Sequence, residues 1–186
     1  MKFIRSVGVL ILVVGLAYLG KYLYMQPKVV NGEKSPKITG TLLNGESFDL
    51  SDLKGNYVLV DFWGSWCGPC LVEMPDIKRL QEKYKNARFK EADGFALVSV
   101  AIERDENRWR KAVNRIGMPW EYHIADLTTS FKFFNSPIAS EFGVKQVPSK
   151  FLLDQNGVII GVNQSFDDLE AFLDKRLQSP QSLRGL

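Results

Sequence analysis

Thiols and imidazoles are scarce in this chain of 186 residues: it has two cysteines, Cys67 and Cys70, and one histidine, His123. A structural zinc site takes four nitrogen or sulfur ligands, so one copy of the chain cannot assemble one, and no metal is expected. The two cysteines lie three positions apart, so a disulfide between them closes a very small loop and removes little entropy from the unfolded chain. A purely structural staple is therefore a poor use of the pair. Acidic residues are absent from the first 25 positions, where Lys2, Arg5 and Lys21 fall. Outside that stretch 21 basic residues balance 21 acidic ones, so the net charge of +3 belongs to the N-terminus and no basic face for nucleic acid is indicated. Internal repeats and low-complexity tracts are also missing, and the length fits one domain with a full core.

Lys2 and Arg5 lead into fifteen uncharged, mostly apolar residues, 6–20. Counted over 3–25, with Lys21 snorkelling and Tyr18, Tyr22 and Tyr24 as an aromatic belt, the stretch is long enough to span a bilayer. A signal peptide cut near Gly15 and Ala17 would leave about half a spanning length, so the expectation is an uncleaved anchor. Two positive charges before the span and one after it place the rest of the chain outside the cytoplasm. No cysteine ends the run to carry a lipid. The Lys, Pro, Gly and Asn of residues 26–35 read as a linker, 36–178 as the domain and 179–186 as a tail.

Within the domain, Asn44-Gly45 between short apolar runs signals a hairpin, and residues 56–63 form an apolar run typical of a strand buried on both faces. Leu71, Met74, Ile77, Leu80 and Tyr84 then recur at helical spacing, with Pro69 suited to a first turn and Pro75 to a kink. A second buried strand over 95–102 and a helix over 105–116 follow, which makes a parallel core. Residues 150–153 and 158–162 flank an Asn156-Gly157 turn, and Ser165 with Asp168 starts a helix carrying Leu169, Phe172, Leu173 and Leu177. Residues 127–135 hold Phe131, Phe133 and Phe134, which read as core, with a docking groove as the alternative.

Cys67-Gly-Pro-Cys70 sits where the buried strand gives way to the helix. Unpaired N–H groups and the positive end of the helix dipole favour a thiolate at Cys67, and Cys70, one turn on, can resolve a mixed disulfide. A Cys-x-x-Cys alone is shared with metal sites. Residues 58–75, however, read VLVDFWGSWCGPCLVEMP and closely resemble the active-site strand and helix of thioredoxin. The resemblance implies an α/β thioredoxin-like fold, with a central mixed β-sheet flanked by helices, an N-terminal β-hairpin extension and the transmembrane helix before it.

Asp61 matches the buried aspartate that, in the family, helps move the proton of the second cysteine. Burial should raise its pKa, unless it is locked in an ion pair within the core. The phrase FDLSDLKGNYVLVDFW, the hairpin before it and Glu73 resemble the TlpA and ResA branch of extracytoplasmic thioredoxin-like proteins. There a glutamate at this place sits beneath the cysteines and assists proton transfer; a solvated helix glutamate is the alternative. Val147-Pro148-Ser149 matches the family's cis-proline loop, whose backbone at Val147 would bind a peptide in strand fashion. Many members carry threonine where Ser149 stands. Trp66 matches the exposed surface around the nucleophile, although a tryptophan alone reads as core. His123 reads as a structural histidine in a strand.

The resemblance covers about residues 36–177, and the chain is longer than a minimal thioredoxin at 85–94 and 127–137. It implies a thiol–disulfide oxidoreductase without a cofactor, acting as a reductase of envelope protein disulfides, cytochrome c maturation included. Its implied partners are protein thiols and a membrane electron donor of the DsbD or CcdA type, at the outer face of a bacterial cytoplasmic membrane. The rivals are a peroxiredoxin, which needs threonine or serine where Gly64 stands, and a non-catalytic binding module.

Overall fold

An apolar run of this kind must be covered on both sides, and the seven residues of β3 (Tyr57–Trp63) are all buried. The computed structural model describes residues 2–25, 28–130 and 133–178. β3 is the middle of a five-stranded sheet with β4 (Phe95–Glu103) and β5 (Tyr122–Leu127) on one side, and β6 (Ser149–Leu153) and β7 (Ile159–Val162) on the other. β4 runs parallel to β3 and β5 parallel to β4, whereas β6 runs antiparallel to β3 and β7 antiparallel to β6. Parallel neighbours need crossovers, supplied here by α2 (Gly68–Tyr84) and α3 (Glu106–Ile116).

Side chains alternate across the sheet, which splits the core in two. Tyr57, Leu59 and Trp63 face Met74, Ile77 and Leu80 of α2, with Trp109 and Val113 of α3 and Leu169 and Leu173 of α5 (Phe166–Asp174). Val58, Val60 and Phe62 face the other way, towards α4 (Pro137–Phe142) and Ile38, Leu42 and Phe48 of the N-terminal extension. That extension is the expected hairpin, β1 (Thr39–Thr41) against β2 (Ser47–Asp49). Gly45 supplies the positive φ its turn requires. The helix starts follow the polar residues that the sequence placed there: Asp105 caps α3 and Ser165 caps α5 through the Asp168 N–H.

Two features differ from the sequence reading. Residues 32–35, linker-like in composition, lie along the outer edge of the sheet: Gly32 N–H donates to Ile159 C=O, Ile159 N–H to Glu33 C=O and Ser35 N–H to Gly157 C=O. Backbone pairing overrides composition here, because an edge strand otherwise leaves a row of open donors and acceptors. α5 stops before Leu177, which makes a strand-like bridge to Phe89. Backbone bonds from Lys90 to Arg176 and from Gln178 to Arg88 thus tie the insertion at 85–94 to the turn that follows α5. In the other insertion, Phe134 is partly buried against the second core. Phe131 and the side chain of Phe133 lie outside the described residues.

α1 (Lys2–Met25) precedes the domain, and its stretch Val7–Met25 is 19 residues long, apolar and wholly unburied. At 1.5 Å per residue that matches the ~30 Å hydrocarbon core, so the helix is a candidate membrane anchor.

Phe62 packs on Phe142 and Phe151 with ring centroids 5.1 and 5.8 Å apart. Phe62→Ala should destabilise the fold by about 3–5 kcal/mol, read as a lower urea midpoint for the full chain in detergent.

Candidate active site

The end of β3 and the start of α2 build the site. Cys67 has extended backbone angles and is the N-cap of α2, where its sulfur, at 3.2 Å, accepts the N–H of Cys70. Sulfur therefore fills the place that a serine or aspartate oxygen takes in an ordinary cap, facing donors that a thiolate can use. Pro69 occupies the first turn, where its missing N–H costs nothing. The loop before Cys67 hangs from the end of β4: Ser65 N–H donates to Glu103, and the Trp66 indole N–H donates to Ile102 C=O at 2.9 Å. Gly64 is required by that indole, since a Cβ there would stand 2.7 Å from Trp66 Nε1.

Cys67 and Cys70 are joined in a disulfide. Both are buried, at 3% and 2% exposure, so position 67 is not the open sulfur that its place ahead of the helix leads one to expect. The exposed rim consists of Trp66, Gly68 and Pro69, with Trp66 41% exposed. Val147 packs against the cluster that contains both cysteines, and the Val147–Pro148 bond is cis. Among the described residues nothing takes up the backbone N–H or C=O of Val147. Ser149 donates its hydroxyl to Gln146 C=O, bracing the loop from within.

Asp61 lies in the buried strand, fully inaccessible, and no described group hydrogen-bonds to its carboxylate. It shares a sheet face with Leu59 and Trp63, the face that α2 covers. Desolvation pushes its pKa up to about 7, with the Lys150 charge opposing and the Glu73 charge reinforcing the rise. The alternative of a carboxylate locked in an ion pair does not hold, because the lysine beside it bonds elsewhere. Lys150 is the register partner of Asp61 on β6, is 8% exposed, and makes its ion pair with Glu73 at 2.5 Å. Glu73 is partly buried and held by that pair.

The same register runs on across the sheet. Ser99 on β4 stands beside Asp61, and His123 on β5 beside Ser99, so His123, Ser99, Asp61 and Lys150 form one polar row through an apolar core. The Ser99 hydroxyl accepts the Trp120 indole N–H. His123 is buried in its strand, as expected, and desolvation lowers its pKa to about 4. Sequence reasoning passed over Lys150, whose signal was a lone charge in the fully buried SKFLL strand. It also passed over Glu103 and over Asp126, which accepts the N–H groups of Ile138 and Ala139 at the start of α4.

Comparison with known proteins agrees with this geometry. The Redoxin family model matches residues 30–175. The chain belongs to the redoxin family. Among curated redoxin relatives, the thioredoxin-like protein YneN of Bacillus subtilis (strain 168) is 31% identical over 158 residues, covering 81% of this chain and 84% of YneN. Thiol-disulfide oxidoreductase ResA of Bacillus thuringiensis (strain Al Hakam) is 29% identical over 151 residues, 80% of this chain and 79% of ResA. The thioredoxin domain of a thiol-disulfide oxidoreductase from Bacteroides vulgatus superposes with a TM-score of 0.66 at 28% identity, over 78% of this chain and 99% of that domain. A putative thiol:disulfide interchange protein DsbE from Chlorobium tepidum does so at 0.64 and 29% identity, over 80% of this chain and 96% of the other. This redoxin thus has the thioredoxin-like fold of the ResA type, and the chemistry of its Cys67–Cys70 pair is thiol–disulfide oxidoreduction.

Asp61 has a stability consequence. Its folded pKa of about 7 lies above the ordinary 3.8, so between those values the native chain binds more protons than the unfolded one. This group's contribution to stability is then fully present below the ordinary pKa and is lost as pH rises towards 7. Asp61→Asn should therefore stabilise the fold at neutral pH by on the order of a few kcal/mol. The gain should shrink towards pH 4, as checked by urea titrations at several pH values.

Proposed function

We propose that this chain is a protein-disulfide reductase of the cell envelope, with Cys67 as nucleophile and Cys70 as resolving thiol. The observation that carries the reading is the Cys67–Cys70 disulfide at the capped start of α2, directly after a buried strand. In the reduced protein the Cys67 thiolate attacks one sulfur of a substrate disulfide, breaking that bond and expelling the other sulfur as a thiolate. Cys70 loses its proton and attacks Cys67, closing the 67–70 disulfide and releasing the substrate's remaining sulfur. Asp61 is the group placed to take and return protons, with Glu73 next to it. Trp66 and the open backbone of Val147 beside Pro148 form the surface on which a substrate segment lies in strand fashion.

Two electrons move from the cysteine pair to each substrate disulfide, so a second partner must reduce the pair again. A membrane donor of the DsbD or CcdA type fits an enzyme held by α1, with its domain on the outer face of a bacterial cytoplasmic membrane. Likeness to ResA and YneN supports the envelope setting, with apocytochrome c as one candidate class of substrate. The domain limits that fit are 1–25 for the anchor, 26–31 for its connection, 32–178 for the catalytic unit, with residues 32–35 on its outer edge, and 179–186 for the tail. A peroxidase is disfavoured at position 64, because a threonine Cβ there collides with the Trp66 ring.

Cys70→Ser should accumulate mixed disulfides on Cys67 in native membranes, resolved by non-reducing electrophoresis, while Cys67→Ser should accumulate none. The potential of the pair should lie nearer the about −270 mV of thioredoxin than the about −120 mV of DsbA. A glutathione titration that placed it at the DsbA end would reverse the assigned direction. Removing residues 2–25 should shift the protein from the carbonate-resistant membrane fraction to the soluble one.

A further inference from the structure

We propose that Lys150 is a positioning residue of the exchange reaction: its ammonium holds Glu73 as an ion pair and leaves Asp61 as the one carboxylate free to carry the proton of Cys70. The inference rests on the exchange reading above. It begins from register, because Asp61 and Lys150 are directly opposed on antiparallel β3 and β6, which puts their side chains on one face. Both are buried, and the same face is roofed by α2, which brings Glu73 to the Lys150 ammonium at 2.5 Å. The ring of Phe166, at the start of α5, stands 4.9 Å from the ammonium.

One cation therefore serves two carboxylates. Glu73 keeps 31% of its side chain in solvent, so holding it charged costs less than charging the wholly buried Asp61. The ammonium goes to the cheaper partner and acts on Asp61 across space. With Glu73 charged and Lys150 charged, the pocket is neutral when Asp61 holds a proton and carries one negative charge when it does not. A single proton then comes and goes, at the deepest of the three groups. Asp61 is tied by register to Ser99 of β4, whose hydroxyl already accepts from Trp120, and to Lys150 of β6, and α2 brings Glu73 to that lysine. The charged groups acting on Asp61 are Lys150, which favours its ionisation, and Glu73, which opposes it.

In the resolving step the Cys70 thiol passes its proton to the Asp61 carboxylate, and the new S–S bond to Cys67 forms. The Cys67–substrate bond breaks, and the departing thiolate takes a proton from Asp61 or water. Removing the Lys150 charge leaves two unneutralised carboxylates side by side. Asp61 then stays protonated at neutral pH and accepts nothing.

The test uses the full chain in detergent. A fluorescent thiol is loaded on Cys67 as a mixed disulfide at acid pH, and its release is followed after jumps to between about pH 5 and about pH 9. Lys150→Met should move the midpoint of the release profile up by at least about one unit, an about tenfold loss near neutrality that is regained at alkaline pH. Lys150→Arg should keep the native midpoint, and Glu73→Gln should lower it by freeing the ammonium for Asp61. An unchanged midpoint in Lys150→Met, or an equal loss at every pH, overturns the proposal. Should Lys150→Met fail to fold, a midpoint raised or unmoved in Glu73→Gln overturns it instead. Failure of the wild-type protein to release the thiol at any pH would refute the exchange reading itself, whatever the variants do.

Discussion

A carboxylate buried without a hydrogen bond in the central strand is the constraint around which this molecule is arranged. Asp61 interrupts an otherwise apolar β3 and leaves both of its oxygens without a partner among the described residues. In water such a group is charged at neutral pH, whereas here the charged form must be made in a buried strand, at a cost of several kcal/mol if nothing compensates. The fold compensates only in part. Lys150 lowers the cost from a distance while its own bond goes to Glu73, and the result is a proton-binding group balanced near neutrality. A fully paired aspartate would be more stable and could not exchange its proton.

The sulfur chemistry depends on a second constraint, the aim of the strand. β3 delivers the chain to the N-terminus of α2, and the intervening loop is fixed by Glu103 at Ser65 and by the Ile102 carbonyl at Trp66. Gly64 lets the indole fold back over the loop. Val147, ahead of β6, packs against the same cluster, so strand, helix and loop converge on one pair of sulfurs. Rigid elements thus carry the cysteine pair, and among the described residues the backbone N–H and C=O of Val147 beside it are left open.

The N-terminal part of the chain is joined to the domain rather than merely tethered to it. Residues 32–35 pair along the edge that β7 would otherwise expose, and β1 with β2 covers the face opposite the helices α2, α3 and α5. The pairing blunts an edge that could recruit other chains.

Residue order alone settled the local features. The Cys-Gly-Pro-Cys start of α2, the cap at Ser165, the Asn44-Gly45 hairpin, and the strands of continuous apolar residues all depend on neighbours within a few positions. Pattern and spacing are sufficient to read such interactions. Asp61, Glu73, Trp66 and Pro148 were legible as candidates through the motif around them, but their surroundings were not. That Lys150 stands opposite Asp61, that Glu73 belongs to the lysine, and that His123 and Ser99 continue the row are facts of strand register. Register joins residues up to 95 positions apart. It is decided by how the whole sheet packs, so only the tertiary structure could specify which charges share the buried space beneath the cysteines.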